Sequence, residues 1–349
     1  MLRLLLLPIG LGLVGLVLVD LLWTTLASAA GAGPMTGRTS ALTWRVVKGR
    51  SRGEGGHRSS GVLVVVVVLL SWIVLLWAGW LLAFTSTDGA VVGTTTDRSA
   101  SVVSRTYFVG YTVFTLGNGD FKPDGPLWQV ATVAASGTGL VLISLAITYL
   151  VPVTGAATDR RSLAGYVASL GESPAQLVVR AWNGHDFQAL AGHLVALAPR
   201  VQEAGERHLT YPVLHFFGSS DRRTAAPVAI AVLHEALCLL RWGVDVDVRL
   251  EAITVEPALE AIGSFLDTLA GAFISPARDP LPAPDLEVLR DYGIPTVDTD
   301  VFLAAVDREQ RRRSLLAGLL TGSGWTTSAS FVTSGASSTG DQDGPRKAG

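Results

Sequence analysis

Three stretches of the chain show neither charge nor amphipathic rhythm over membrane-scale lengths. Val62 to Phe84 is continuously apolar, includes Trp72, Trp77 and Trp80, and carries no charge. Leu127 to Val153 is a second uncharged run, and Leu4 to about Leu26 is a third, interrupted by Asp20. As a helix the first run reaches ~35 Å, more than the ~30 Å of a bilayer's hydrocarbon core. Each run therefore predicts a membrane-spanning helix rather than a buried core helix.

Beyond Thr158 the pattern becomes helical and amphipathic. Apolar positions recur at helical spacing over Ala175–Trp182, Phe187–Ala198, Pro227–Trp242, Pro257–Phe273 and Val301–Leu320. Ser173 and Pro174 pair a cap with an N1 proline, and Pro227 and Pro257 open their runs the same way. Breakers stand at Gly171, Gly184, Pro199, Pro212, the 276–284 proline cluster and Pro295. The tail from Ser323, rich in Ser, Thr and Gly, predicts disorder. The predicted organisation is an N-terminal spanning helix within 1–30, a basic loop over 31–61, a membrane module over 62–157, a helical domain over 158–322 and a tail over 323–349. The fold class is an all-α membrane protein.

Charge orients this pattern. Between Gly37 and His57, Arg38, Arg45, Lys48, Arg50 and Arg52 stand against Glu54 alone, and Arg58 follows. Such a segment belongs on the cytoplasmic side. Asp159, Arg160 and Arg161 follow the last run, whereas Thr85 to Ser104 holds Asp88, Asp97 and Arg98 without a basic excess. The predicted threading puts the N-terminus outside, the basic loop inside, residues 85–126 outside and the C-terminus in the cytoplasm. A rival reading takes Arg3, the leucine-rich stretch and Leu26-Ala27-Ser28-Ala29-Ala30 as a cleaved signal peptide. The stretch exceeds the ~7–15 apolar residues usual for such a signal, and Asp20 sits near its end, so retention is expected. Asp20 then lies near the inner interface, or within the membrane as a functional acid.

Composition narrows the function. Charged residues make up 16% of the chain, against about 25% in soluble domains. The 49% hydrophobic content excludes wholesale disorder. A net charge of −2 lacks the basic footprint of a nucleic-acid binder. A single cysteine, Cys238, excludes a disulfide scaffold and reads as a core filler.

Residues 105–126 carry the chemistry. A short apolar stretch from Thr106 to Phe114 is too short to span, and Gly117, Asn118 and Gly119 follow it. A half-length helix and an extended glycine segment between two spanning runs predict a re-entrant loop, which survives at membrane depth only when it lines protein or a watery cavity. In that setting Thr115-Leu116-Gly117-Asn118-Gly119-Asp120-Phe121-Lys122-Pro123 resembles the Thr-Val-Gly-Tyr-Gly-Asp filter of potassium channels, with the proline three residues on.

The resemblance to this bacterial pore-loop cation-channel family implies a homotetramer in the cell membrane. Its filter carbonyls would come from Thr115, Leu116, Gly117 and Asn118, with K+ as permeant ion and no cofactor. Gly119, Asp120, Tyr107, Phe108 and Tyr111 would support the filter, over a pore helix spanning about Ser104 to Phe114. Gly139, with Gly137 beside it, matches the family's gating hinge on the inner helix; helix packing is the other reading. Asn118 departs from the family's aromatic residue. Tyr107 and Phe108 match its pore-helix aromatic pair, but Phe108 has no donor for Asn118. Non-selective relatives carry a small polar residue at that position, so Na+ stands beside K+ as a permeant ion. Asp120 either draws cations to the mouth, against Lys122, or forms a structural hydrogen bond behind the filter.

The stretch from His208 to Phe217 with the helix after it is similar, more loosely, to the C-terminal region of bacterial three-helix pore-loop channels. No nucleotide-sensing Gly-x-Gly-x-x-Gly and no array of regularly spaced arginines occurs, and no motif names a cytoplasmic ligand. His208, His215, His234 and Glu235 read either as a metal cluster or as scattered residues, their spacing matching no tight ligand motif. Arg311-Arg312-Arg313 reads as a solvated helix face or a lipid contact. No acid/base or nucleophile constellation supports an enzyme. The alternative to a channel is a membrane-anchored helical sensor or interaction protein whose pore loop no longer conducts.

Overall fold

The computed structural model describes residues 2–26, 31–50, 60–271 and 273–327. Residues 27–30, which carry the cleavage site of the rival signal-peptide reading, the basic residues of 51–59 and the expected tail from 328 onward lie outside the described residues. The chain forms two compact units. One holds the N-terminal helices, residues 59–155 and the short segment 210–217, and the other holds most of the chain beyond Gly155.

The first unit contains α1 (Leu2–Leu26), α2 (Pro34–Arg50), α3 (Ser60–Thr85), β1 (Val91–Gly93), α4 (Val102–Val113), β2 (Phe121–Pro123) and the first part of α5 (Pro126–Leu170). Two glycines allow α1 and α3 to approach closely. A Cβ on Gly10 would stand 2.5 Å from the Gly79 carbonyl oxygen, and one on Gly79 would stand 2.9 Å from that of Gly10. Small residues at apolar helix contacts serve this purpose, because backbone proximity replaces a hydrophobic driving force.

Where the sequence predicts a basic loop, the structure has the 17-residue helix α2. Its first turn is capped from another helix. The Asp20 carboxylate on α1 is fully buried and accepts hydrogen bonds from Met35 N (2.7 Å), Thr36 N (3.1 Å), Thr36 Oγ1 (2.6 Å) and Trp72 Nε1 (2.9 Å). Thr24 Oγ1 accepts from Gly33 N. A carboxylate at a helix N-terminus satisfies orphan N–H groups and meets the positive end of the dipole. Whatever its depth in the membrane, Asp20 serves as an internal cap, a role the sequence did not announce.

The second unit contains the rest of α5, α6 (Pro174–Ala181), α7 (Gln188–Thr210), α8 (Ala226–Cys238), α9 (Ala252–Ala270), α10 (Glu287–Asp291), α11 (Thr299–Asp307) and α12 (Gln310–Gly322) around one apolar core. Two prolines read as punctuation lie inside helices: Pro199 in α7 and Pro257 in α9. In α7 the buried stripe Leu190, Leu194, Leu197, Val201 and Ala204 continues past Pro199, which faces outward. Burial of that stripe outweighs the ~3 kcal/mol of a lost helical hydrogen bond. The run Val301–Leu320 divides into α11 and α12.

Among the described residues, four helices are long and apolar enough to cross a membrane: Leu5–Leu26, Gly61–Thr85, Pro126–Leu170 and Ala226–Gly243. Only 28%, 33% and 22% of the first three windows is buried, against 83% of the fourth. The apolar surface of the fourth is therefore already covered by its own unit.

Candidate functional site

The site is built on α4. Ser101 caps it, its Oγ accepting from Ser104 N (3.2 Å). Arg105 fixes the helix from its first turn. Its buried guanidinium donates to Ala100 O (3.1 Å), to the terminal carbonyl region of α3 at Phe84 O (3.2 Å), to Ser99 Oγ (3.2 Å) and to Asp88 O. Sequence reasoning missed this anchor, because an arginine at the start of an apolar stretch carries no local signal of burial. Nearby, the exposed Arg3 guanidinium beside Asp88 holds that carboxyl below the usual range.

At its other end α4 stops in a Schellman arrangement. Thr115 N donates to Thr112 O (3.0 Å) and Leu116 N to Tyr111 O (2.7 Å). The left-handed position that such a stop requires is filled by Thr115 at φ 57° rather than by glycine. From there handedness alternates. Gly117 (φ 62°) and Gly119 (φ 83°) are left-handed, and Leu116 and Asn118 between them keep negative φ. Alternating handedness aims successive N–H groups to one side, and so aims the carbonyls to the other. Among the described residues no group donates to the carbonyls of Thr115, Leu116, Gly117 or Asn118, and the ribbon is exposed in the single chain. Gly119 O accepts from Thr94 Oγ1 (2.6 Å).

Behind the ribbon a polar brace replaces the aromatic support expected there. Asn118 Nδ2 donates to the Tyr107 hydroxyl (2.6 Å), which donates to Asp120 Oδ2 (2.9 Å). Tyr111 OH donates to Phe121 O (2.7 Å). Phe108 is not part of this brace. It is 1% exposed and packs edge-on against Phe84 and Tyr111. Of the two readings of Asp120, the structure contains the structural hydrogen bond. Lys122 is paired with Asp97 (2.7 Å). The strand pair β1–β2, with Val92 opposite Lys122, carries the chain past the ribbon, and Thr94 N binds Asp120 O (3.0 Å).

On α5, Ser136 Oγ donates to Thr112 O (3.0 Å), and Trp80 Nε1 donates to Thr138 Oγ1 (2.9 Å). A Cβ on Gly139 would overlap the Val113 carbonyl, whereas one on Gly137 would meet open space. Gly139 is thus the point where α5 touches the end of α4. The helix runs unbroken through both glycines.

In the second unit, the four residues read as a metal cluster or as scattered do neither wholly. His208 packs against Phe273, and His215 lies in the first unit. His234 and Glu235 are neighbours, Nδ1 to Oε1 at 3.1 Å, with Cys238 Sγ 3.7 Å from the same nitrogen. Arg313 is buried against Glu235, Arg312 binds Glu260 (2.8 Å) and Glu309 (3.3 Å), and Arg311 pairs with Asp267 (2.8 Å). The arginine run is therefore divided: Arg313 is buried and Arg312 half-buried in ion pairs, while Arg311 stays on the solvated face that the sequence reading offered.

No family model matches the chain, and no solved structure matches it. The chain is 36% identical over 307 residues to the uncharacterized membrane protein YdjJ of Bacillus subtilis (strain 168), covering 87% of this chain and 89% of the relative. The chain belongs to the YdjJ family of membrane proteins. Membrane residence of a YdjJ-family chain agrees with helices α1, α3 and α5, whose apolar surfaces their own unit leaves largely uncovered.

Proposed function

We propose that the chain is a homotetrameric, potassium-conducting cation channel of the cell membrane, with Thr115–Gly119 as its selectivity filter. Helices α1, α3 and α5 span the bilayer, α4 and the ribbon enter from outside, and the second unit lies in the cytoplasm. One observation carries the reading: a ribbon of alternating handedness presents four consecutive carbonyls that nothing among the described residues engages. Carbonyl rings of this kind replace the hydration shell of a dehydrated cation. One ribbon supplies one side of such a ring, so closure needs several copies, and the resemblance gives four. The C-terminal end of α4, with roughly half a negative charge, adds to the attraction. Of the two candidate hinge glycines, Gly137 is assigned to gating, because Gly139 is committed to contact with α4.

The test is K+ flux into liposomes carrying the purified full-length protein, followed by reversal potentials in mixed K+ and Na+. Wild type is expected to conduct with K+ favoured, and Gly119→Asp, which puts a side chain and charge at a left-handed position, to abolish flux. Correctly assembled wild-type tetramers without flux would assign the chain instead to the non-conducting sensor class.

A further inference from the structure

We propose that His234, Glu235 and Cys238 hold a transition-metal ion of the zinc class in the core of the helical unit. This is independent of the channel reading. Helix α8 places the three residues at i, i+1 and i+4, all fully buried, with their donor atoms within 4.8 Å of one another. The separations from His234 Nδ1 are 3.1 Å to Glu235 Oε1 and 3.7 Å to Cys238 Sγ. An ion with tetrahedral bonds of ~2.0–2.3 Å sets its N, O and S donors about 3.3–3.8 Å apart, so the two separations from His234 Nδ1 lie close to that range and the Glu235–Cys238 pair, within 4.8 Å, closes onto an ion by a side-chain adjustment.

The surroundings supply what such ligands require. A ligating histidine hands its other ring N–H to a carboxylate. His234 Nε2 is buried without a hydrogen-bond partner, and Glu309 Oε2 stands 3.9 Å away. A ligating carboxylate is itself held in place, and Arg313 Nε contacts both Glu235 oxygens at 3.1 and 3.2 Å. Directly after Cys238 the helix widens into a π turn, Leu239–Gly243, a distortion frequent at functional sites. Thiolate with imidazole selects zinc-class metals over magnesium or calcium. The three side chains fill three of the four tetrahedral positions, and their full burial ties metal binding to folding stability.

The experiment uses the untagged full-length protein in detergent, stripped with a chelator and titrated with Co(II). Wild type is expected to bind one equivalent, to show a thiolate-to-cobalt charge-transfer band, to lose that band on adding Zn(II), and to melt at a higher temperature with either metal. Cys238 is the chain's single cysteine, so the band has one source and the wild-type spectrum decides even if a variant fails to fold. Cys238→Ser is expected to remove the band, and Glu309→Gln to weaken binding roughly tenfold or more. Less than one equivalent on folded wild type, or a one-equivalent complex without the band, overturns the proposal.

Discussion

Thr115 occupies a backbone position that glycine fills without strain. A β-branched residue at positive φ costs on the order of 1–3 kcal/mol, and the helix stop itself needs only the conformation, not the side chain. The helix stop therefore gives no reason for a threonine here, and on the proposed channel reading its hydroxyl is the part that would face an ion. Tyr107 has a similar logic. Among the described residues its hydroxyl is the group that links Asn118 to Asp120, so on the channel reading it would do by hydrogen bonding what a packed aromatic residue does by bulk. Tyr107→Phe keeps the ring contacts with Tyr111 and Phe121 and leaves both polar partners unpaired. A loss of ~1.5 kcal/mol of ribbon stabilisation is expected, read as about a tenfold fall in the K+ over Na+ permeability ratio in bilayer recordings. An unchanged ratio in conducting Tyr107→Phe protein would remove the brace from the selectivity argument.

Elements differ in how openly the sequence announces them. Helices α3 and α5 follow from local hydrophobicity over membrane-scale lengths, and the ribbon is legible because its glycines and threonine keep a fixed spacing. Helix α2 is illegible for the opposite reason: its cap, Asp20, precedes Thr36 by 16 residues and sits on another helix. The strands β1 and β2 have three residues each, too few for a period of two to register. At Gly139 the sequence shows a glycine but not its neighbour. The structure puts the Val113 carbonyl there, so Gly139→Ala must push α5 away from the end of α4. Overpacking of this kind costs ~1–3 kcal/mol, and loss of flux with a lowered melting temperature is expected. Gly137→Ala meets open space and is expected to fold with wild-type stability while altering open probability. Equal behaviour of the two variants in flux and melting measurements would contradict the assignment of contact to one glycine and gating to the other.

At the scale of the whole molecule the decisive question is which side of the membrane each unit meets. Loop charge provided the sequence argument; of its six basic residues, Arg52 and Arg58 fall at 51–59, outside the described residues, and the other four lie on or before Arg50. Burial supplies a second argument. A fourth apolar helix, Ala226–Gly243, meets the length and composition of a span, but 83% of its window is covered by its own unit. Placing it in lipid would mean dismantling a core that includes the ion pairs of Glu235, Glu309 and Arg313, and exposed charge at membrane depth is costly. On the proposed three-span threading, residues 85–126 and the helical unit lie on opposite faces of the membrane, whereas a fourth crossing at α8 would put the segments before and after it on different sides. Cysteine labelling distinguishes these threadings with little background, because the native Cys238 is buried. Thr95 and Gln202 are both exposed. In oriented cells, Thr95→Cys is expected to react with a membrane-impermeant maleimide from outside, and Gln202→Cys and Thr299→Cys only after permeabilisation. Reaction of Thr299→Cys from outside, with Gln202→Cys protected, would put α8 across the membrane. Reaction of Thr95→Cys only after permeabilisation would turn the ribbon's mouth to the cytoplasm and overturn its role as an outward-facing filter.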